Sequence, residues 1–135
     1  MKKFLPAIII AVVVIVVIAV IIIVNVINSN GTLIVLVSDS ARATELSEDR
    51  YEYIFENGKC VKAYNYVTYK DENNAKEFYQ YYSSNPDNIL GYKDVKIDGS
   101  TVSYELTKNT NVVNKTDKET IKEQMEELGY TVTSE

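Results

Sequence analysis

Apolar and polar positions divide the chain into one long apolar run followed by short alternating segments. Residues Phe4 to Ile27 read FLPAIIIAVVVIVVIAVIIIVNVI, and from Phe4 to Val24 no side chain carries a charge or a hydrogen-bonding group. A helix rising about 1.5 Å per residue would cross a ~30 Å hydrocarbon core over that length, so the run predicts a transmembrane helix over 4–27. Pro6 falls in its first turn, where the missing N–H costs little. Lys2 and Lys3 lie in the preceding segment 1–3, and acidic residues begin only at Asp39. By the positive-inside rule this leaves the N-terminus in the cytoplasm and sends the rest of the chain, on a single pass through the cell membrane, to the extracytoplasmic side. A cleaved signal peptide is the rival reading, but signal cores usually run ~7–15 residues. The small-x-small candidate near the end of this run is Ser29-Asn30-Gly31. A helix buried in a soluble core would need a larger protein to cover all its faces.

Beyond the run the pattern turns to short periods. Thr32 to Val37, TLIVLV, reads as a buried strand, and Ser38 to Arg50 as a surface connection with one helical turn around Ala43–Ser47. Together 28–50 form a membrane-proximal strand and connector, and 51–135 an exported domain. Tyr51–Phe55 and Cys60–Tyr69 flank Asn57-Gly58, a pair suited to the positive φ values of a type I′ turn. Regular alternation about that turn puts Tyr51, Tyr53, Phe55, Cys60, Lys62, Tyr64, Tyr66 and Thr68 on one face. Glu52, Ile54, Glu56, Lys59, Val61, Ala63, Asn65, Val67 and Tyr69 fall on the other. The first face carries fewer charges and is expected inward.

Asp71 caps a predicted helix whose Ala75, Phe78, Tyr79 and Tyr82 form one stripe, ended by Ser83-Ser84-Asn85-Pro86. A second hairpin, Tyr92–Ile97 and Thr101–Thr107 about Asp98-Gly99, separates Lys93, Val95, Ile97, Val102, Tyr104 and Leu106 from a polar face that includes Tyr92. Thr116-Asp117-Lys118-Glu119 reads as a capping box opening a helix with Ile121, Met125 and Leu128 inward. Gly129 is its stop, and Tyr130–Thr133 a short last strand. The expected fold class is α+β: an N-terminal transmembrane helix, then a small antiparallel sheet of two β-hairpins in ββα-ββα order with two helices packed on one face. A sheet covered on one side leaves its other side free for a partner.

Charge and composition narrow the chemistry. Of 14 basic residues, Lys2 and Lys3 precede the apolar run, leaving 12 against 19 acidic ones and a formal charge of −7 on the rest. That balance disfavours nucleic acid as a partner. The chain has no histidine, which excludes imidazole catalysis and the common zinc sites. A single cysteine, Cys60, cannot form an intrachain disulfide and lies too far from the apolar run for lipidation. It reads as a small buried hydrophobe, with an intermolecular bridge as the alternative. Acidic pairs such as Glu48-Asp49, Asp71-Glu72 and Glu126-Glu127 lack the spacing of a calcium loop. Ser38-Asp39-Ser40 after the apolar segment superficially resembles the serine region of type I signal peptidases, against a solvated loop as the plain reading. No catalytic, metal or cofactor residues are expected. All 11 tyrosines follow the apolar run. Tyr69, Tyr81 and Tyr92 fall on outward positions and are the candidate ligand contacts, with core and edge packing as the competing role.

From Tyr51 onward the sequence resembles the YehR-like group of small bacterial cell-surface lipoproteins. The likeness lies in the tyrosine-bearing strand before Asn57-Gly58-Lys59, in Asn74-Ala75-Lys76-Glu77, in Asn88-Ile89-Leu90-Gly91-Tyr92 and in Leu128-Gly129-Tyr130. The resemblance implies an exported, membrane-attached α+β domain and no activity, although the lipobox cysteine of that group has no counterpart here. The expected function is therefore a membrane-anchored extracytoplasmic binding or adaptor domain without catalysis, taking another envelope protein or a wall component as partner. The alternative is a small-ligand or glycan sensor using the outward tyrosines. A serine-lysine hydrolase stands as a remote third.

Overall fold

A computed structural model describes residues 9, 12–20, 30–84 and 91–135. Helical residues 12–20 (α1) are followed by β1 (Gly31–Leu36), β2 (Leu46–Glu56), β3 (Lys59–Tyr69) and α2 (Glu72–Ser83). Then come β4 (Tyr92–Asp98), β5 (Thr101–Leu106), α3 (Thr110–Val113), α4 (Lys118–Glu127) and β6 (Thr131–Ser134). The fold is α+β, with one antiparallel six-stranded sheet in the order β4-β5-β3-β2-β1-β6.

Among the described residues no helix is long and apolar enough to cross a membrane. This overturns the expected transmembrane helix over 4–27. With it go the single-pass membrane topology, the cytoplasmic N-terminus and the extracytoplasmic placement of the domain. The rest of the 4–27 span, the 1–3 segment and Ser29 lie outside the described residues, as do Asn85, Pro86 and Asn88-Ile89-Leu90. The connector expected over 38–50 is also corrected, because β2 begins at Leu46 and runs alongside both β1 and β3.

Local chemistry sets the turns and caps. Asn57 and Gly58 take φ of 51° and 74°, closing the β2–β3 hairpin, and Gly99 takes 58° between β4 and β5. Asp71 accepts from the Asn73 N–H at 2.8 Å and starts α2. The cap of α4 is Asp117, one residue later than a box opened by Thr116 would place it. The Thr116 carbonyl is engaged by the Cys60 N–H at 2.9 Å, which ties the helix start to β3. Asp117 accepts from the Thr120 N–H and hydroxyl, both at 2.9 Å, and these bonds hold its carboxyl below the usual range. At the other end Gly129, with φ of 82°, lets the Tyr130 N–H reach the Met125 carbonyl at 3.1 Å.

Two β-bulges decide which side chains face the core. In the first hairpin Phe55 pairs with Cys60 but Ile54 pairs with Lys62, so Val61 is an extra residue in β3. Every β3 side chain beyond it changes face relative to regular alternation. Ala63, Asn65 and Val67 are buried, whereas Tyr64 and Tyr66, expected inward with Lys62 and Thr68, lie on the opposite face. In the second hairpin the register shifts between Lys93 and Lys96, with Asp94 at φ of 53°. Tyr92 there pairs with Leu106 and turns inward, and Lys93 turns out.

The core fills one face of the sheet. Leu33, Val35, Tyr53, Phe55, Cys60 and Ala63 pack against Ile121 of α4, with Met125 and Val112 beside them. Ala75 of α2 packs with Val102 and Tyr104, joined by Phe78, Tyr79 and Tyr92. α2, α3 and α4 thus cover the same side.

Candidate functional site

The three tyrosines singled out by outward phase arrive at one seam beneath and beside α2. Tyr69 has its ring centroid 5.7 Å from Phe78, and Tyr92 sits 4.8 Å from Tyr82 and 4.5 Å from Tyr104. Tyr81 meets the edge of Tyr82 at 5.0 Å and is 59% exposed at the rim. Phe78 stacks on Tyr82 at 4.1 Å and completes the cluster. Tyr69 and Tyr92 are therefore half-buried packing residues rather than outward ones. Burial pushes the Tyr69 phenol up to about 12.

A polar thread runs under this seam. The Tyr104 hydroxyl donates to Asn65 Oδ1 at 2.6 Å, and Asn65 Nδ2 donates to Asp49 Oδ1 at 2.7 Å and to the Arg50 carbonyl at 3.0 Å. Asn65 is 4% exposed, so these bonds satisfy a buried amide. Burial is the main force raising the Tyr104 pKa. The neutral phenol is the form that fits here, as a donor.

The opposite face is uncovered by α2, α3 and α4, and the register orders it into rows. Lys96 pairs with Ser103, Ser103 with Tyr66, Tyr66 with Arg50, Arg50 with Leu36, and Leu36 with Thr131. This row takes one residue from each of the six strands and spans about 24 Å at ~4.8 Å per strand. A parallel row holds Lys93, Glu105, Tyr64, Glu52, Ile34 and Thr133. On the far side of the first lie Asp98, Thr101, Thr68 and Glu48, with the Thr68 and Thr101 hydroxyls 2.9 Å apart.

Arg50 is the centre of this face. Its guanidinium lies over the Tyr66 ring, 4.6 Å from the centroid. Glu48 approaches Nη1 at 3.7 Å and Glu52 approaches Nε at 3.5 Å. Both are ion pairs, yet Nε is buried without a hydrogen-bond partner among the described residues. A cleft of about 420 Å³ opens beside it, lined by Arg50, Tyr66, Lys96, Asp98, Thr101 and Ser103. A second, of about 370 Å³, includes Leu36, Glu48, Thr131 and the close Arg42–Asp39 pair at 2.6 Å.

No cluster that would hold a metal ion occurs among the described residues. Ser38 Oγ lies 3.2 Å from Ser40 Oγ in an exposed turn, where a serine-lysine mechanism needs a desolvated amine. Cys60 is fully buried, and burial pushes its thiol up to about 11, away from the reactive thiolate.

Regular alternation missed Tyr64 and Tyr66 as outward residues. The signal was present: Lys62 was the single charge on the face expected inward, and Lys93 was its counterpart in the second hairpin. Each is the side chain next to the bulge. No family model matches the chain, and no curated protein or solved structure matches it either, so function rests on this geometry.

Proposed function

We propose that this is a non-catalytic binding domain and that the sheet face left uncovered by α2, α3 and α4 is its recognition surface. The observation that carries this reading is the ordered row from Lys96 to Thr131, in which hydroxyls, a tyrosine and an arginine face outward side by side. The Arg50 arrangement supports it. A guanidinium stacked on a ring but loosely met by carboxylates, with one buried donor unused, stabilises the fold less than a fully bonded one. Side chains that break the local rules of stability concentrate where a surface serves something besides folding. A rigid sheet also holds such groups more exactingly than a loop does.

In this reading Tyr69 and Tyr92 serve the α2 seam, and Tyr81 stays at its rim. The test is site-specific photo-crosslinking in full-length protein expressed in its own cells. A benzophenone side chain at Ile34 or Tyr64 should give adducts, and one at Glu123, exposed on α4, should not. Equal labelling at Glu123, or no adduct from the sheet positions, overturns the assignment of this face.

A further inference from the structure

We infer that the ligand of this face is an uncharged, extended glycan chain lying along the row from Lys96 to Thr131; the inference rests on the binding reading above. Charge decides against ionic ligands. The larger cleft carries Arg50 and Lys96 against Asp98, and Glu48 and Glu52 stand within 3.7 Å of Arg50. Cations and anions are interleaved, so a polyanion or polycation loses on one neighbour what it gains on the next. The chain as a whole is at −5, which adds to the cost for an anion.

A sugar hydroxyl suits this lattice because it donates to a carboxylate and accepts from a cation or another hydroxyl at once. Ser103 and Thr101 supply such hydroxyls beside the charged groups, the half-exposed ring of Tyr64 in the neighbouring row offers apolar surface to the C–H side of a pyranose, and Tyr66 holds the Arg50 guanidinium in place over its ring. The second cleft, lined by Leu36, Glu48 and Thr131, borders the same Arg50–Glu48 pair. The two hollows therefore lie next to each other on one track, which suits a chain of linked rings better than a single one.

An extended peptide fits less well. Each of its residues brings a backbone N–H and C=O that need partners, and peptides usually find them by adding a strand to a sheet edge. The β4 edge is bulged at Asp94 and carries Lys93 and Lys96, a defended edge. The open face offers side chains alone.

The test exposes full-length protein to an array of neutral and acidic oligosaccharides and follows the neutral hits by calorimetry. Saturable binding of a neutral chain is expected, little changed between about 50 and 500 mM salt, since no net charge is neutralised. Tyr66→Ala and Lys96→Ala should each weaken it by about tenfold or more, and Tyr81→Ala by less than about twofold. Two variants on different strands guard against misfolding of either. Binding confined to acidic glycans, binding unaffected by both variants, or no glycan bound would each overturn the inference. If crosslinks from Ile34 and Tyr64 persist while no glycan binds, the recognition face stands and its ligand is of another class. If both fail, both readings fall.

Discussion

The two faces of this sheet use the same residue type for opposite purposes. On the covered face Tyr104 is buried, and its hydroxyl is committed to Asn65 at 2.6 Å. On the open face Tyr66 lies under Arg50, whose nearest carboxylates stand at 3.5 and 3.7 Å, without short hydrogen bonds. Tight pairing marks the interior, where an unmet polar group costs several times what its bond is worth. Loose pairing marks a face that water, or a ligand, completes. The role of a tyrosine here follows from its face, and the face of Tyr64 and Tyr66 follows from the bulge at Val61.

The contrast breaks most visibly under truncation. Phe55→Ala, at a ring 2% exposed, should cost about 3–5 kcal/mol in urea unfolding, and Tyr64→Ala less than about 1 kcal/mol. Equal losses would mean that Tyr64 is packed and the open face is not open. Next in size is the polar thread. Asn65→Ala strands the Tyr104 hydroxyl and the Asp49 carboxylate and should cost about 1–3 kcal/mol, whereas Thr68→Ala, which loses a half-exposed hydroxyl pair, should stay under about 1 kcal/mol.

An alkaline series sharpens the picture further. Burial pushes the Tyr51 phenol from 10.0 up to about 12, so the fold favours its neutral form. Because the unfolded chain then loses its proton first, this contribution is whole below pH 10 and is lost as pH rises from 10 to about 12. Unfolding midpoints should fall over that window, and Tyr51→Phe should flatten the fall; an unchanged slope would show that Tyr51 is hydrated. The smallest effect belongs to the β4 bulge. Asp94 holds φ at 53°, a left-handed conformation that glycine adopts freely. Asp94→Gly should raise stability by up to about 1 kcal/mol, and a loss would assign the aspartate a bonding role in the bulge.

Much of the domain was legible where backbone chemistry is local. Asn57-Gly58, Asp98-Gly99, Asp71 and Gly129 each state a turn, a cap or a stop, because few other residues satisfy those φ values or bond those N–H groups. The bulges were not legible by period, since an inserted Val61 or a left-handed Asp94 leaves no fixed residue signature. Their trace was a misplaced lysine in each hairpin, and reading it would have turned Tyr64, Tyr66 and Tyr92 the right way. The first half of β2 was hidden for another reason. Glu48, Asp49 and Arg50 have no strand preference, and they are drawn into the sheet by pairing with β3 and β1. The transmembrane helix expected over 4–27 finds no support among the described residues, none of whose helices is long and apolar enough to cross a membrane.

The pairing of β1 also bears on how the chain is made. β1 lies between β2 and β6, and the Thr32 N–H and C=O are both closed by residue 135, at 2.9 and 2.8 Å. A ribosome delivers residues 131–135 about a hundred residues after β1. Until then β1 presents a bare strand edge carrying Leu33, Ile34, Val35 and Leu36. Nascent chains stalled before residue 131 should therefore cling to one another or to chaperones, and release of a few more residues should end that behaviour.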